Sequence, residues 1–110
     1  MSLNEIPDTV FVSLGSRGFH PVHPKQCGKC GNENPQGLEL LEREEQERID
    51  HEEGYKVTVD YKIQCRLCNN IFYVRLQHLY QRKDEGDKRV TTFVNILDEN
   101  KNDIGWLGNY

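Results

Sequence analysis

The chain has 110 residues, of which 35% are hydrophobic, and its formal net charge at pH 7 is −4. A chain of this length and composition forms one small domain with a modest core, and its acidic balance argues against a protein that simply coats nucleic acid. The sequence contains neither an apolar run of about 18 residues nor a basic, apolar leader. We therefore expect no membrane span and a cytoplasmic location, or a nucleoid or nuclear one if the chain binds nucleic acid.

The N-terminal part of the sequence predicts a strand followed by an extended approach to a pair of cysteines. Residues 9–14, TVFVSL, are rich in β-branched and aromatic side chains and end at the turn sequence GSRG. Pro21 and Pro24 disfavour helical backbone at the residues before them. We therefore expect the chain to reach Cys27 in an extended conformation.

The middle of the sequence is acidic and leaves two structures open. Residues 37–53 hold eight acidic side chains and two arginines, a local charge of −6. Within residues 38–49, sparsely spaced apolar side chains fit a helix, but residues 55–64 alternate strictly between apolar and polar and need a strand as partner. We favour a hairpin that turns at DHEEG, residues 50–54, with glycine supplying the bend.

The last part of the sequence predicts a strand, a helix and two further strands. Residues 71–74, IFYV, have strand composition. In residues 75–83, apolar side chains recur at i, i+3 and i+4, which predicts a short amphipathic helix. Residues 89–97 read as a strand, a turn follows, and residues 104–110 read as a short closing strand or tail.

The four cysteines of the chain form two pairs with identical Cys-x-x-Cys spacing: Cys27 and Cys30, and Cys65 and Cys68. A single such pair suggests thiol redox chemistry, but two matched pairs suit the four thiolates of one tetrahedral Zn²⁺ ion. Gly31 and Asn69, which follow the pairs, tolerate the left-handed backbone that such turns often need. Disulfides belong to oxidising compartments and are the weaker alternative. An iron ion with the same four ligands remains possible.

The arrangement of these cysteines resembles the zinc-ribbon superfamily over roughly residues 19–75. The resemblance implies a small, zinc-stabilised, mostly-β domain over residues 1–110, with a zinc-ribbon core at 19–75. The extra N-terminal strand and a C-terminal helix-plus-strand extension, residues 76–110, are expected to pack on this core. We call the turns at Cys27–Cys30 and Cys65–Cys68 the first and second knuckles. The 34 residues between Cys30 and Cys65 exceed the usual spacing of roughly 15 to 20, so an additional segment lies between the knuckles. Zinc ribbons are commonly met in transcription and translation machinery, where they bind nucleic acid or dock on a polymerase or ribosome.

We expect a noncatalytic binding module that acts on nucleic acid or on RNA polymerase-type transcription machinery. Residues 62–83 hold five cations and no acid, interleaved with aromatic side chains that could stack on bases. A closed four-thiolate site leaves no open position for water, and the sequence has no nucleophile motif or Gly-rich phosphate loop, so we do not expect an enzyme. The predicted contact residues are Lys62, Arg66, Tyr73, Arg75, Arg82 and Lys83. For Tyr73, a place in the core is an equal alternative.

The acidic segment supports an alternative function, a protein–protein adaptor or inhibitor. Such a segment could dock on a basic partner or imitate nucleic acid. The residues that would make this contact are Glu44, Glu45, Glu47, Asp50, Glu52 and Glu53. A simpler interpretation is that the acidic and basic segments only complement each other. Trp106 is expected to anchor the tail, although an exposed tryptophan there would indicate a partner surface.

Overall fold

The computed structural model describes residues 3–32, 34–83 and 85–110, which form a small, mostly-β domain. Its strands are β1 (Val10–Ser13), β2 (Phe19–Val22), β3 (Leu38–Glu45), β4 (Ile49–His51), β5 (Gly54–Cys65), β6 (Ile71–Gln81), β7 (Lys88–Leu97) and β8 (Asp103–Asn109). Three short 3-10 turns accompany them, at Leu3–Glu5, Gly15–Arg17 and Pro35–Gly37. None of the helical segments in these described ranges is long and apolar enough to cross a membrane.

The strands form two antiparallel sheets. The larger sheet has the order β3-β5-β6-β7-β8, and β4 pairs with the part of β5 that β3 does not reach. The smaller sheet is the β1–β2 ribbon. β5 is an interior strand with partners on both edges, and its strict alternation gives it one apolar face and one polar face.

The hairpin expected at residues 50–54 is confirmed, and residues 38–45 are a strand rather than a helix. His51 pairs with Gly54, so two glutamates form the turn. In β3 the register with β5 shifts between Leu40 and Glu42. The extra residue at this bulge interrupts the period-2 pattern, which explains why the apolar side chains of this strand also fitted a helical spacing.

The prediction of a helix at residues 75–83 is wrong, because most of this segment belongs to β6. β6 pairs with β5 without interruption from Ile71 to Gln81. A register shift against β7 falls between Leu79 and Tyr80, at the two adjacent side chains that had given the helical spacing. The continuous ladder with β5 therefore overrides a weak local helical pattern. The strands expected at residues 9–14, 71–74, 89–97 and 104–110 are confirmed as β1, the start of β6, β7 and β8.

The hydrophobic core lies on one face of the large sheet, which we call the inner face. The N-terminal segment covers this face, and Ile6 and Val10 are buried there. The sheet contributes alternate residues from its strands: Val59, Tyr61, Ile63, Phe72, Val74, Leu76 and Val94. The opposite face, which we call the outer face, carries the paired positions Asp60 with Arg75 and Lys62 with Tyr73.

Candidate metal centre

The two cysteine pairs lie at the same end of the large sheet and bring four sulfur atoms together. All four Sγ atoms lie within 4.8 Å of one another, and two distances across the pairs, Cys27 to Cys68 and Cys30 to Cys65, are 3.5 Å. A tetrahedral ion with metal–sulfur bonds of about 2.3 Å would separate its ligands by about 3.8 Å. The cluster therefore fits a zinc-binding site, and none of the four cysteines is in a disulfide.

Both knuckles use the same backbone turn. In the first, the Gly31 N–H donates to the Cys27 carbonyl at 2.9 Å, and the Cys27 N–H donates to the Asn32 carbonyl at 2.8 Å. The second knuckle repeats both bonds, at 2.7 and 2.9 Å, with Asn69, Cys65 and Asn70. Gly31 and Asn69 both have positive φ, 79° and 62°. The expectation of left-handed residues directly after each pair is confirmed.

The sequence analysis missed a second repeat in the knuckles, because each one reads Cys-x-x-Cys-x-Asn. The side-chain amide of Asn32 donates to the Cys65 sulfur at 3.8 Å, and that of Asn70 donates to the Cys27 sulfur at 3.6 Å. Each asparagine therefore contacts the first cysteine of the opposite knuckle. The matching positions of the two asparagines were visible in the sequence, but the crossing required the fold.

The ionisation of the sulfurs differs from one cysteine to another. Burial opposes a thiolate at Cys27 and at Cys65, but backbone N–H groups of their own knuckles outweigh it and lower the pKa of both. At Cys30 the backbone N–H of Asn32 favours the thiolate, yet the neighbouring sulfurs, Cys65 foremost, raise the pKa far above its ordinary value. Four thiolates at these separations repel one another, so a bound cation is what would allow all of them to ionise together.

The arginines of the predicted nucleic-acid contact each pair with an acid. Arg75 donates from Nε and Nη2 to the two carboxylate oxygens of Asp60, at 2.7 and 2.9 Å. Asp60 is 1% exposed. Burial opposes its charge, but Arg75 and then Lys101 outweigh that effect and hold the pKa of the carboxyl below its usual value. The other two pairs, Arg66 with Glu39 and Arg82 with Asp50, lie at the surface.

The remaining predicted contact residues are Tyr73, Lys62 and Lys83, of which Tyr73 and Lys62 are cross-strand neighbours on β6 and β5. Tyr73 is only 9% exposed, and the amino groups of Lys62 and Lys101 lie 6.0 and 5.1 Å from its ring centroid. Its ring is therefore covered, as expected for a core residue, and is not free to stack on a base. Lys62 and Lys83 have no acidic partner among residues 3–32, 34–83 and 85–110.

The acidic residues of the alternative contact lie at the end of β3, in β4 and the segment before it, and in the hairpin turn. Glu44 accepts a hydrogen bond from Lys101 at 3.1 Å, and Asp50 pairs with Arg48 and Arg82. The other four are exposed and form no ion pair with any cation in the described part of the chain: Glu45, Glu47, Glu52 and Glu53. We call these four residues the acidic tip.

Several large apolar side chains are exposed. Trp106, expected as an anchor or as a partner surface, is 53% exposed, and Phe19 on the β1–β2 ribbon is 72% exposed. A groove of about 750 Å³ lies beside the first knuckle. It has no acidic lining residue among those described, and its apolar walls include Val22, Phe72, Ile96, Ile104 and Leu107. Apolar surface of this kind is common at binding sites for partners.

No protein-family model, curated protein or solved structure matches this chain significantly. The part of the zinc-ribbon expectation that the structure supports is the cluster of four cysteines. What the domain binds has to be argued from its own surfaces.

Proposed function

We propose that this chain is a noncatalytic, zinc-stabilised binding module that docks on a protein partner through the acidic tip. One observation carries the proposal: the arginines of the basic segment are paired within the domain, whereas the acidic tip forms no ion pair with any cation among the described residues. Exposed charges without partners act on other molecules through their field, and they give specificity and rate to association. The zinc-ribbon core would present this tip on a rigid hairpin.

The metal has a structural role in this proposal. Four thiolates complete a tetrahedral shell, so the ion would have no open position for water or substrate. The ligands come from the two ends of a long hairpin, and binding energy at such a site is largely folding energy. Zinc and iron would both accept these ligands, and elemental analysis of the purified protein distinguishes them.

The basic segment is less suited to bind phosphates than its composition suggested. To reach a phosphate, Arg75 would have to leave a buried carboxylate that accepts two hydrogen bonds from it. Breaking such a pair leaves an uncompensated charge and costs about 3–5 kcal/mol. The carboxylates of the acidic tip form no ion pair within the described residues, so a partner would not have to break one. Ile49, 57% exposed beside it, offers an apolar anchor among the charges, as protein interfaces commonly do.

Nucleic acid, or RNA polymerase-type machinery, is a second candidate partner, favoured by a different region. Residues 9–32 contain three cations and no acid. Arg17, in the loop between β1 and β2, and Lys29, in the first knuckle, are exposed, and Phe11 and Phe19 project from the β1–β2 ribbon. Cations beside exposed aromatic rings suit a single strand, whose phosphates and bases they can contact. In this form of the proposal the contact surface is the β1–β2 ribbon.

A capture experiment with a matched control tests the two candidates. The zinc-loaded chain and the double variant Glu47→Lys, Glu52→Lys are used to capture partners from nuclease-treated extract. The control is Glu42→Lys, Glu99→Lys, which makes the same change of charge at exposed positions away from the turn. We expect a protein that the wild type and the control retain, that the tip variant loses, and whose retention weakens as salt rises.

Other outcomes separate the candidates. Equal retention by all three proteins would overturn docking through the acidic tip. Recovery that disappears on nuclease treatment would support the second candidate. In that case the wild type should bind a labelled single strand with a steep salt dependence, and Arg17→Ala with Lys29→Ala should reduce the salt slope by about one unit for each lost phosphate contact.

A further inference from the structure

We propose that Asn32 and Asn70 are positioning residues of the metal centre, whose crossed hydrogen bonds tie the two knuckles together and slow the release of the ion. The inference rests on the proposed zinc centre. It concerns the side chains around the sulfurs and not the sulfurs themselves. Such neighbours orient metal ligands, and their loss typically reduces metal affinity 10–100-fold.

The crossing is the first argument. Asn32 belongs to the first knuckle but contacts Cys65 of the second, and Asn70 belongs to the second but contacts Cys27 of the first. A donor within the same knuckle would stabilise a single turn. A donor that crosses over instead links two segments far apart in sequence, and it does so twice, with the same residue type at the same position of the repeat.

The orientation of the Asn32 amide is fixed by its surroundings. Its Oδ1 accepts a hydrogen bond from the backbone N–H of Asn34 at 3.1 Å, so its Nδ2 is the end directed at the Cys65 sulfur. Gly37 leaves room for this amide, because a Cβ atom there would lie 2.5 Å from Nδ2. The Gly37 carbonyl also accepts from the backbone N–H of Arg66 in the second knuckle, at 2.8 Å.

Asn70 connects the knuckles from the other side. Its carbonyl accepts the Cys65 N–H and so closes its own turn, while its side chain reaches Cys27. Both asparagines are partly buried, where a hydrogen bond to a charged acceptor is stronger than in water. Four thiolates around a dication leave two excess negative charges, and each amide N–H withdraws part of that charge from a sulfur.

Substitution by aspartate separates this role from simple packing. Aspartate has the shape of asparagine, but it replaces the amide donor with an acceptor and adds a negative charge. Asn69→Asp is the matched control, because it adds the same charge in the second knuckle at a residue whose side chain makes no hydrogen bond to sulfur within the described residues. A residue that only fills space would tolerate aspartate better than alanine.

The test is competitive titration of the 110-residue chain with Zn²⁺ and with Co²⁺ as a spectroscopic probe. We expect Asn32→Ala and Asn70→Ala to bind Zn²⁺ about 10-fold more weakly, and the aspartate variants about 100-fold more weakly. Asn69→Asp should stay within about threefold of the wild type. The thiolate-to-cobalt absorption band should move to lower energy in the Asn32 and Asn70 variants only, because a sulfur without the amide donor is richer in electrons.

Gly37→Ala provides an independent perturbation, since it displaces the Asn32 amide without changing that residue. It should weaken Zn²⁺ binding about as much as Asn32→Ala, and the double variant should lose little more, because both changes remove the same hydrogen bond. Additive losses, or Asn32 and Asn70 variants that match Asn69→Asp in affinity and spectrum, would overturn the positioning role. A wild type that binds no metal ion would overturn the zinc centre itself.

Discussion

Strand β5 joins two ends of the domain that differ in chemistry. It ends at Cys65 among sulfurs, crossed amides and left-handed turns, where hydrogen bonds link the two cysteine pairs to each other. It begins at Gly54, directly after Glu52 and Glu53, and the four carboxylates of the acidic tip are exposed and form no ion pair with a cation from the described part of the chain. In our proposal the first end holds the fold together and the second end contacts a partner.

The largest effect is expected at the end of β5 that carries the cysteines, which we call the knuckle end. Cys65→Ser, or chelation of the metal from the wild type, should abolish cooperative unfolding, because structural zinc contributes about 10–16 kcal/mol and a whole domain is stable by only about 5–15 kcal/mol. Circular dichroism during heating, with and without added Zn²⁺, measures this. A Cys65→Ser protein that melts like the wild type would mean that the ion is incidental to folding.

A smaller effect is expected halfway along β5, where Asp60 lies on the outer face. Asp60→Asn should reduce the free energy of unfolding by about 3 kcal/mol, because it removes one partner of a buried pair and leaves Arg75 uncompensated. The control is Asp50→Asn at the exposed pair with Arg82, which should cost less than about 1 kcal/mol. Urea denaturation at pH 7 with saturating zinc compares them. Equal losses at the two sites would contradict the importance of burial.

The knuckle end could be predicted from the sequence, because residue type, spacing and local conformation all point to the same turn. Four cysteines, Gly31 and Asn69 are sufficient for that. The hairpin turn followed from the alternation of β5, which requires a neighbouring strand. Local features of this kind are readable because each depends on a few adjacent residues.

The ion pairs of the sheet and the full length of the strand after the second knuckle were harder to predict than the knuckles and the hairpin turn. The spacing of apolar side chains after Arg75 fits a helix locally, and only the ladder with β5 decides for β6. The ion pairs were equally hidden, since Arg75 and Asp60 meet across two strands and Arg82 meets Asp50 at the hairpin turn. The charge count of the sequence included these arginines among the cations available for a partner. Whether an arginine is available depends on its tertiary contacts.

The smallest effect on stability is expected at the acidic tip. Glu47→Lys with Glu52→Lys should change the free energy of unfolding by no more than about 0.5 kcal/mol, because surface substitutions without specific contacts rarely do more. A small gain is the expected sign, since the change relieves repulsion among like charges. Urea denaturation with saturating zinc measures it. A loss above about 1 kcal/mol would mean that these carboxylates support the fold. With stability unchanged, partner loss by this variant in the capture experiment could not be attributed to unfolding.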